Sequence, residues 1–233
     1  MAFDRVNSIT IRPERIANFM EQVAELAAVA AKKNEKWQWT AHQTVFGEGM
    51  AIHFASRAES FEQIEKQGQA DELWLRVLGP KRGAEASART NECIETVRQT
   101  VSAERPDLSY AEGIGNPADY PYAVVTAARA RPGHAEACEE LIRKVAEAIP
   151  KAGDSARMIA YQVLFEDMGA YWTIRPLRSL ADLDTQLPAP ELLNQAFGAA
   201  EGGLLWRSGS EAIQEARREI VRYMPELSNP PTS

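Results

Sequence analysis

Residues 37–56, WQWTAHQTVFGEGMAIHFAS, contain two β-rich runs on either side of Gly47-Glu48-Gly49. Two such runs around a short glycine-containing connection are typical of a β-hairpin. This is the strongest hairpin signal in the chain. It predicts an antiparallel pair of strands over 37–46 and 50–56.

A second copy of this stretch follows 119 positions later, at residues 157–175. The same offset, without any gap, aligns residues along nearly the whole chain. Matches include Arg12-Pro13 with Arg131-Pro132, Gln43 with Gln162, Phe46 with Phe165, and Pro106-Asp107-Leu108-Ser109 with Pro225-Glu226-Leu227-Ser228. A long internal period means that the fold is built from copies of one unit. We therefore predict a tandem duplication.

Each copy contains the same order of predicted elements, β-α-β-β-α-α. In the first copy they are a strand over 3–11, a helix from Pro13, the hairpin, short helices near 59–66 and 71–78, and a long helix over about 84–103 with Ile94, Val97 and Val101 facing inward. In the second copy they are a strand over 122–130, a helix over 133–149, the hairpin over 157–175, and helices that end near Met224.

Helices would cover only one face of the three-stranded or four-stranded sheet in each copy. A small sheet cannot leave its other apolar face in water, and in a duplicated chain the second sheet can cover it. We therefore predict that the two copies close their sheets over one another as a barrel-like sandwich with pseudo-two-fold symmetry. The predicted organisation is a first repeat over 1–112, a linker over 113–121 rich in Gly and Pro, a second repeat over 122–228 and a disordered tail over 229–233.

Charge and composition exclude several classes of function. The formal net charge is −7, and the sequence lacks the clustered Lys and Arg that nucleic-acid binding requires. No segment resembles a membrane span or a secretory signal, so we expect a cytoplasmic protein that binds neither nucleic acid nor membrane. Cys93 and Cys138 occupy unequal repeat positions, which predicts buried thiols rather than a shared disulfide or metal framework.

Signatures of several large enzyme classes do not occur in the sequence. It contains no G-x-x-x-x-G-K-S/T loop, no G-x-S-x-G elbow, no H-E-x-x-H and no paired C-x-x-C. Gly113-Ile114-Gly115 lies in the linker before Asn116-Pro117, and we interpret it as a flexible connector. Whether the protein is an enzyme is therefore left open by its motifs.

The duplication, the hairpin and the order of elements resemble the dimeric α+β barrel superfamily, whose members include antibiotic-biosynthesis monooxygenase-like, EthD-like and NIPSNAP-like proteins. In that group two ferredoxin-like units, from two chains or one fused chain, enclose a pocket between their sheets. The resemblance implies an α+β fold in which two tandem ferredoxin-like β-α-β-β-α(α) units form an intramolecular pseudo-dimeric barrel. The chain departs from the pattern in its long final helices, and residues 108–112 are the candidate fourth strand.

Two histidines of the hairpin, His42 and His53, are the first candidates for a functional site. If the hairpin loop holds two or four residues, both side chains share a sheet face with Thr44, whereas a three-residue loop separates them. The equivalent positions of the second copy are Tyr161 and Trp172. Such unequal polar residues are expected when one half of a duplicated cavity specialises. The alternative is that all four are half-buried sheet residues whose polar ends have internal partners.

Three further residues complete the predicted pocket. Gln43 and Gln162 occupy equivalent positions, where they can hydrogen-bond across the pseudo-two-fold axis or satisfy a sheet edge. Arg175 follows the second hairpin and can offer a guanidinium fork for a carboxylate, although a solvated arginine is the commoner outcome. The predicted ligand-pocket residues are thus Gln43, Thr44, Gln162, Trp172 and Arg175.

The leading functional hypothesis is a protein that binds a small organic molecule between the two sheets. The resemblance extends it to a cofactor-free monooxygenase or isomerase with His42 or His53 as base and Tyr161 as hydrogen-bond donor. No metal and no cofactor are expected. A haem-binding or metal-binding barrel, and a structural or oligomer-forming module without a ligand, are the alternatives. A homo-oligomer is compatible with each of them.

Overall fold

The computed structural model describes residues 2–47, 49–111 and 116–230. The first repeat contains β1 (Phe3–Ile11), α1 (Ile16–Lys32), β2 (Thr40–Phe46), β3 (Ala51–Ala58), α2 (Phe61–Gln67), α3 (Ala70–Leu78), α4 (Pro80–Glu92) and β4 (Ile94–Glu104). The second contains β5 (Tyr122–Ala130), α5 (Ala135–Lys151), β6 (Ile159–Phe165), β7 (Ala170–Leu177), α6 (Ala189–Phe197), α7 (Ala199–Glu211) and β8 (Ile213–Tyr223). None of the helices in the described residues is long and apolar enough to cross a membrane.

The eight strands of the described residues follow the order β1-β3-β2-β8-β5-β7-β6-β4, and the ladder closes as a barrel. The pairs β1·β3, β2·β3, β5·β7 and β6·β7 are antiparallel. The predicted class, α+β repeats with a closed sheet, is therefore confirmed. Both predicted hairpins are present, because β2 and β3 are consecutive antiparallel strands and so are β6 and β7.

The chain divides into two compact units that do not coincide with the two repeats. The first unit comprises Met1–Val101 and Arg222–Ser233, and the second comprises Ser102–Val221. Both boundaries fall inside strands, one in β4 and the other in β8. Each repeat therefore contributes the end of its last strand, and the residues that follow it, to the unit of the other repeat.

Each unit has its own hydrophobic core under the helices. In the first unit Phe19 of α1 and Trp74 of α3 pack with Trp37, Trp39 and Leu227. The two tryptophans of the hairpin stretch are 5% and 6% exposed, so both belong to this core. The core of the second unit contains Leu108 from the first repeat together with Cys138, Leu141, Ile149 and Leu192. Both cysteines are buried and free, as predicted.

Two helices of each unit meet at a pair of repeated glycines. Gly79 and Gly198 separate α3 from α4 and α6 from α7 at φ of +89° and +85°, a region that glycine enters without steric cost. One turn later a Cβ at Gly83 would lie 2.4 Å from the Trp74 carbonyl oxygen, and one at Gly202 would lie 2.6 Å from the Asn194 nitrogen. The close approach of the two helices therefore requires glycine in both repeats.

The long helix predicted over 84–103 is wrong, because α4 ends at Glu92 and Ile94–Glu104 is the strand β4. The same correction applies to the second repeat, where the predicted helices near Met224 end at Glu211 and β8 follows. Ile94, Val97 and Val101 do recur at helical spacing. However, β-branched residues are stiff at χ1 and favour a pleated strand, and neighbouring strands supply the hydrogen-bond partners that decide the outcome.

Residues 108–112 are not the fourth strand. Pro106–Leu108 is a turn of 3-10 helix, and Tyr110 forms a single β-bridge with Met158. Glu112 and the Gly113-Ile114-Gly115 connector lie outside the described residues. The predicted tail also begins too early, because Asn229 is 5% exposed and forms a β-bridge with Trp39.

We call residues 105–110 and 224–229 the clasp segments. In the first unit the Ala41 amide donates to Ser228 Oγ at 2.9 Å, and Trp39 Nε1 donates to the Leu227 carbonyl at 2.8 Å. In the second unit the Ala160 amide donates to Ser109 Oγ at the same 2.9 Å. The repeated Pro-Asp/Glu-Leu-Ser sequence thus completes the hydrogen bonds of a neighbouring strand in each unit.

Shortening the Leu227 side chain tests how much this clasp segment stabilises the first unit. Leu227 is fully buried, so we expect Leu227→Ala to lower the free energy of unfolding by about 2–5 kcal/mol. The neighbouring exposed residue gives the control, because Glu226→Ala should change it by less than about 0.5 kcal/mol. Urea denaturation measures both. Equal, small effects of the two substitutions would contradict a structural role for the clasp.

Candidate functional site

The helix-free face of the first unit's sheet carries the two predicted histidines. His42 of β2 and His53 of β3 are directly opposite one another in the antiparallel register. Strands β2 and β3 are separated by residues 47–50, so the loop has the even length that puts both rings on one face. With Ser8, Thr40, Thr44 and Tyr223 these two residues form what we call the histidine face.

Both ring nitrogens of His53 are hydrogen-bonded to hydroxyl groups. Its Nδ1 is 2.8 Å from Ser8 Oγ on β1, and its Nε2 is 3.0 Å from Thr44 Oγ1 on β2. A hydroxyl can donate or accept, so this pair is compatible with either tautomer. The three side chains therefore fix the orientation of the imidazole and leave His53 as a rigid part of the face.

His42 has fewer hydrogen-bond partners than His53. Its Nε2 is 3.1 Å from Thr40 Oγ1, and its ring centroid is 5.6 Å from that of Tyr223. Nδ1 makes no hydrogen bond to the part of the chain that the structure describes. Burial, and secondarily the neighbouring His53, lowers the pKa of His42 to about 4. The imidazole is therefore neutral at physiological pH and presents one open nitrogen.

The corresponding face of the second unit is aromatic and apolar. Tyr161 and Trp172 are directly opposite one another, in the same register as the two histidines. Tyr161 is 2% exposed and Trp172 is half-buried. Ile159 and Val163, which flank Tyr161 on the same face of β6, are also buried. The two faces have thus diverged in chemistry while keeping the same backbone positions.

Gln43 and Gln162 lie on the other side of their strands, toward the helices. Gln43 Oε1 accepts from Arg222 Nη2 at 3.2 Å, and Gln162 Oε1 accepts from Arg105 Nη1 at 3.0 Å. In each unit, therefore, the glutamine binds an arginine at or next to a clasp segment. Gln43 and its neighbour Thr44 point to opposite faces and do not belong to one cluster.

Arg175 is also on the helix side, in the second unit. Its Nη2 lies 3.3 Å from Asp154 Oδ2, and its Nη1 donates to the Leu187 carbonyl at 3.5 Å. The side chains of Arg175 and Asp154 are 14% and 4% exposed, and the buried Nε has no partner in the structure. Desolvation lowers the pKa of Arg175. The guanidinium is thus part of an internal ion pair.

Sequence reasoning missed a polar network around Glu139 in the second unit. Arg105 donates from Nη1 and Nη2 to the Glu139 carboxylate at 2.9 and 3.0 Å, and from Nε and Nη2 to Asp107 at 2.9 and 2.8 Å. The Tyr171 hydroxyl donates to Glu139 Oε1 at 2.7 Å. Hydrogen bonds from Arg105 lower the pKa of Glu139, and burial followed by Glu139 raises the pKa of Tyr171.

The same place in the first unit is apolar. Residues at the repeat positions of Arg105, Glu139 and Tyr171 are Met224, Met20 and Ile52. A cavity of about 30 Å³ lies there, lined by Ile11, Ile16, Met20, Gln43, Met50, Ala51 and Ile52. This volume is roughly that of one water molecule, so the cavity has no room for an organic ligand. Comparison of repeat positions 20 with 139 and 105 with 224 could have revealed the divergence.

The histidines do not belong to a cluster of metal-binding side chains in the described residues. Among residues 2–47, 49–111 and 116–230, no three His, Cys, Asp or Glu side chains are grouped so that they could hold a metal ion. Ligation by His53 would break one of its two hydrogen bonds to hydroxyls. His134, the third histidine, is exposed at the start of α5.

Comparison with known proteins is informative at the level of the fold. No family model matches the chain, and no curated protein matches it. A solved anthrone oxidase-like protein superposes with a TM-score of 0.60 at 13% identity, covering 96% of this chain and 91% of that one. A candidate monooxygenase from Lactobacillus acidophilus NCFM gives 0.57 at 7% identity, with 95% and 93% covered.

A chlorite dismutase variant from Candidatus Nitrospira defluvii also gives a TM-score of 0.57, at 10% identity, with 97% and 92% of the two chains covered. The chain has the dimeric α+β barrel fold. Since these dimeric α+β barrel proteins differ in their described activities, the shared fold does not specify a reaction.

Titration of His42 should be visible in the stability of the protein. The folded-state pKa near 4 lies below the unfolded value near 6.5, so the unfolded chain takes up a proton first as the pH falls. We expect the wild type to lose about 3 kcal/mol between pH 7 and pH 4, relative to His42→Gln. Urea denaturation at several pH values measures the difference. A pH-independent difference would contradict the assigned protonation state.

Substitution of the Glu139 network by the residues of the first repeat tests whether its members act as a unit. Arg105→Met should lower the free energy of unfolding by about 2 kcal/mol, because it leaves a partly buried carboxylate unpaired. The double substitution Arg105→Met/Glu139→Met should cost at least about 1 kcal/mol less than the sum of the two single changes. Additive effects in chemical denaturation would show that the pair is not coupled.

Proposed function

We propose that the protein binds a small organic molecule on the histidine face, with His42 Nδ1 as the polar atom that contacts it. The open nitrogen of a neutral imidazole, next to the Tyr223 ring, carries this proposal. The imidazole and hydroxyl groups that converge here are groups of the kind that fix the orientation of a ligand in a small-molecule site. The monooxygenase-like and oxidase-like descriptions of the structural neighbours support a ligand of this class.

His42 is better suited to accept a hydrogen bond than to remove a proton outright. If Thr40 Oγ1 accepts from Nε2–H, the lone pair of Nδ1 faces the ligand. A phenol has a pKa near 10, about six units above that of His42. Full proton transfer would then be strongly uphill. The proposed ligand is therefore an aromatic molecule with a phenolic or enolic hydroxyl that donates to His42.

His53 serves as a positioning residue in this proposal. Ser8 and Thr44 hold its ring, and its proximity helps to keep His42 neutral. Within the second unit, described by itself, Trp172 stays a proposed ligand-binding residue because it is half-buried, whereas Tyr161 is 2% exposed. The partners of Arg175, Gln43 and Gln162 support structural roles for these three residues.

Binding of 1-naphthol, with naphthalene as its match without a hydroxyl, tests the proposal. We expect 1-naphthol to bind, His42→Ala to weaken it about three- to tenfold, and naphthalene affinity to be unaffected by that substitution. Isothermal titration calorimetry provides the dissociation constants, and His134→Ala is the matched control. Equal affinities of wild type and His42→Ala for 1-naphthol would overturn the assignment of His42. Oxygen uptake that depends on His42 would extend the proposal to a monooxygenase.

A further inference from the structure

Arg5 is a buried cation without a carboxylate partner. It lies on β1 on the helix side of the first unit's sheet and is 2% exposed. Its Nη1 donates to the Gly68 carbonyl at 2.7 Å and its Nη2 to Gln69 Oε1 at 3.2 Å, while the guanidinium carbon lies 5.1 Å from the centre of the Trp37 ring. Within the described residues no Asp or Glu forms an ion pair with it.

A guanidinium remains charged at every physiological pH, so it must be compensated where it is buried. The second repeat shows how this chain does so. There the cross-strand pair Arg5 and Ser56 is replaced by Val124 and Arg175. Arg175 donates to the Leu187 carbonyl, the repeat counterpart of Gly68, and also pairs with Asp154. The arginine has moved to the adjacent strand and has acquired a carboxylate.

The counterpart of Asp154 in the first repeat is Glu35, but this carboxylate is already engaged. Glu35 Oε2 accepts from Arg76 Nε at 3.0 Å, and its Oε1 accepts from the Trp37 amide at 3.0 Å. In the second repeat the position of Arg76 is occupied by Gln195, which is neutral and donates to the Ala152 carbonyl. The first unit therefore has two guanidinium groups, those of Arg5 and Arg76, and the Glu35 carboxylate pairs with Arg76.

One edge of the Arg5 guanidinium is covered by the side chain of a solvent-exposed residue. With its amide oxygen turned toward Arg5, Gln99 of β4 accepts from Nε at 3.2 Å and from Nη2 at 3.0 Å. These two N–H groups form the edge that binds a carboxylate in a bidentate manner. Gln99 is exposed, so its amide can leave and a carboxylate oxygen pair can take its place.

A second unused donor lies in the same cluster. Trp37 Nε1 is buried and has no hydrogen-bond partner in the structure, and its ring is the one that the guanidinium covers. Buried polar groups without a partner are rare in folded proteins and call for an explanation. The cluster thus combines a buried positive charge with a buried donor that lacks an acceptor, and an anion would supply the missing negative charge.

We propose that Arg5 is the centre of a binding site for a small carboxylate, with Gln99 as a displaceable cover. The site is on the opposite side of the sheet from the histidine face and does not depend on the proposed function. A free small acid, or an Asp, Glu or terminal carboxylate of another chain, would present the same chemistry. The guanidinium edge offers two coplanar N–H donors, and the Gln99 amide carries no charge. The site therefore favours a planar ligand with one negative charge.

Sodium formate is the probe, with sodium chloride at equal ionic strength as the reference. We expect formate to raise the melting temperature of the wild type in a saturable manner, by roughly 3–6 °C at ten times the dissociation constant. The Arg5→Met variant should lose the response. Arg12→Met, which removes an exposed arginine of the same repeat, should keep it. An equal response to the two salts, or an unchanged response in Arg5→Met, would overturn the proposal.

A gain-of-charge variant keeps the test decisive if Arg5→Met does not fold. Gln99→Glu places a carboxylate at the open edge, so it should raise the melting temperature and abolish the formate response. A destabilised Gln99→Glu variant, or one that still responds to formate, would refute the site. Light scattering separates the two sources of the carboxylate: dissociation of an oligomer by formate indicates a protein carboxylate, and an unchanged mass indicates a free acid.

Discussion

Exchange of the clasp segments is the constraint on which the rest of the structure depends. Strands β4 and β8 each begin in one compact unit and end in the other. Beyond them, Trp39 pairs with Asn229 and Tyr110 pairs with Met158 in matching β-bridges. Leu227 and Leu108 are fully buried in cores formed mainly by the opposite repeat. Neither repeat therefore supplies a complete unit from its own sequence.

The parts of this fold that depend on local patterns could be predicted from the sequence. The hairpin around Gly47 and its copy follow from turn residues and strand propensity, whereas the register of His42 opposite His53 depends on the loop length, which the structure supplies. Strand β4 could not be recognised in this way, because Ile94, Val97 and Val101 also fit a helical stripe. Its state is decided by hydrogen bonds to strands that are distant in sequence, which no local window contains.

The candidate site illustrates the same limit. The positions of the histidines could be identified from the sequence, but the hydroxyl partners of His53 come from β1 and β2, and the aromatic neighbour of His42 comes from β8. The sequence allows Arg175 to be either a guanidinium fork for a ligand or a solvated side chain, whereas the structure pairs it with Asp154 across 21 residues. The network of Arg105 with Glu139 and Tyr171 was missed because its members are distant from one another in sequence, although the repeat comparison places methionines and isoleucine opposite them.

The unequal faces and the shifted arginine show what duplication permits: either copy can change its side chains while the shared backbone continues to fold. The exchanged strand ends limit this freedom in a different way. A break in the connection between the repeats would leave two fragments, each holding residues that complete the other's hydrophobic core. A clasp such as Leu227-Ser228 and the strand it supports lie in opposite repeats. A substitution in either one therefore restricts which residues the other can accept.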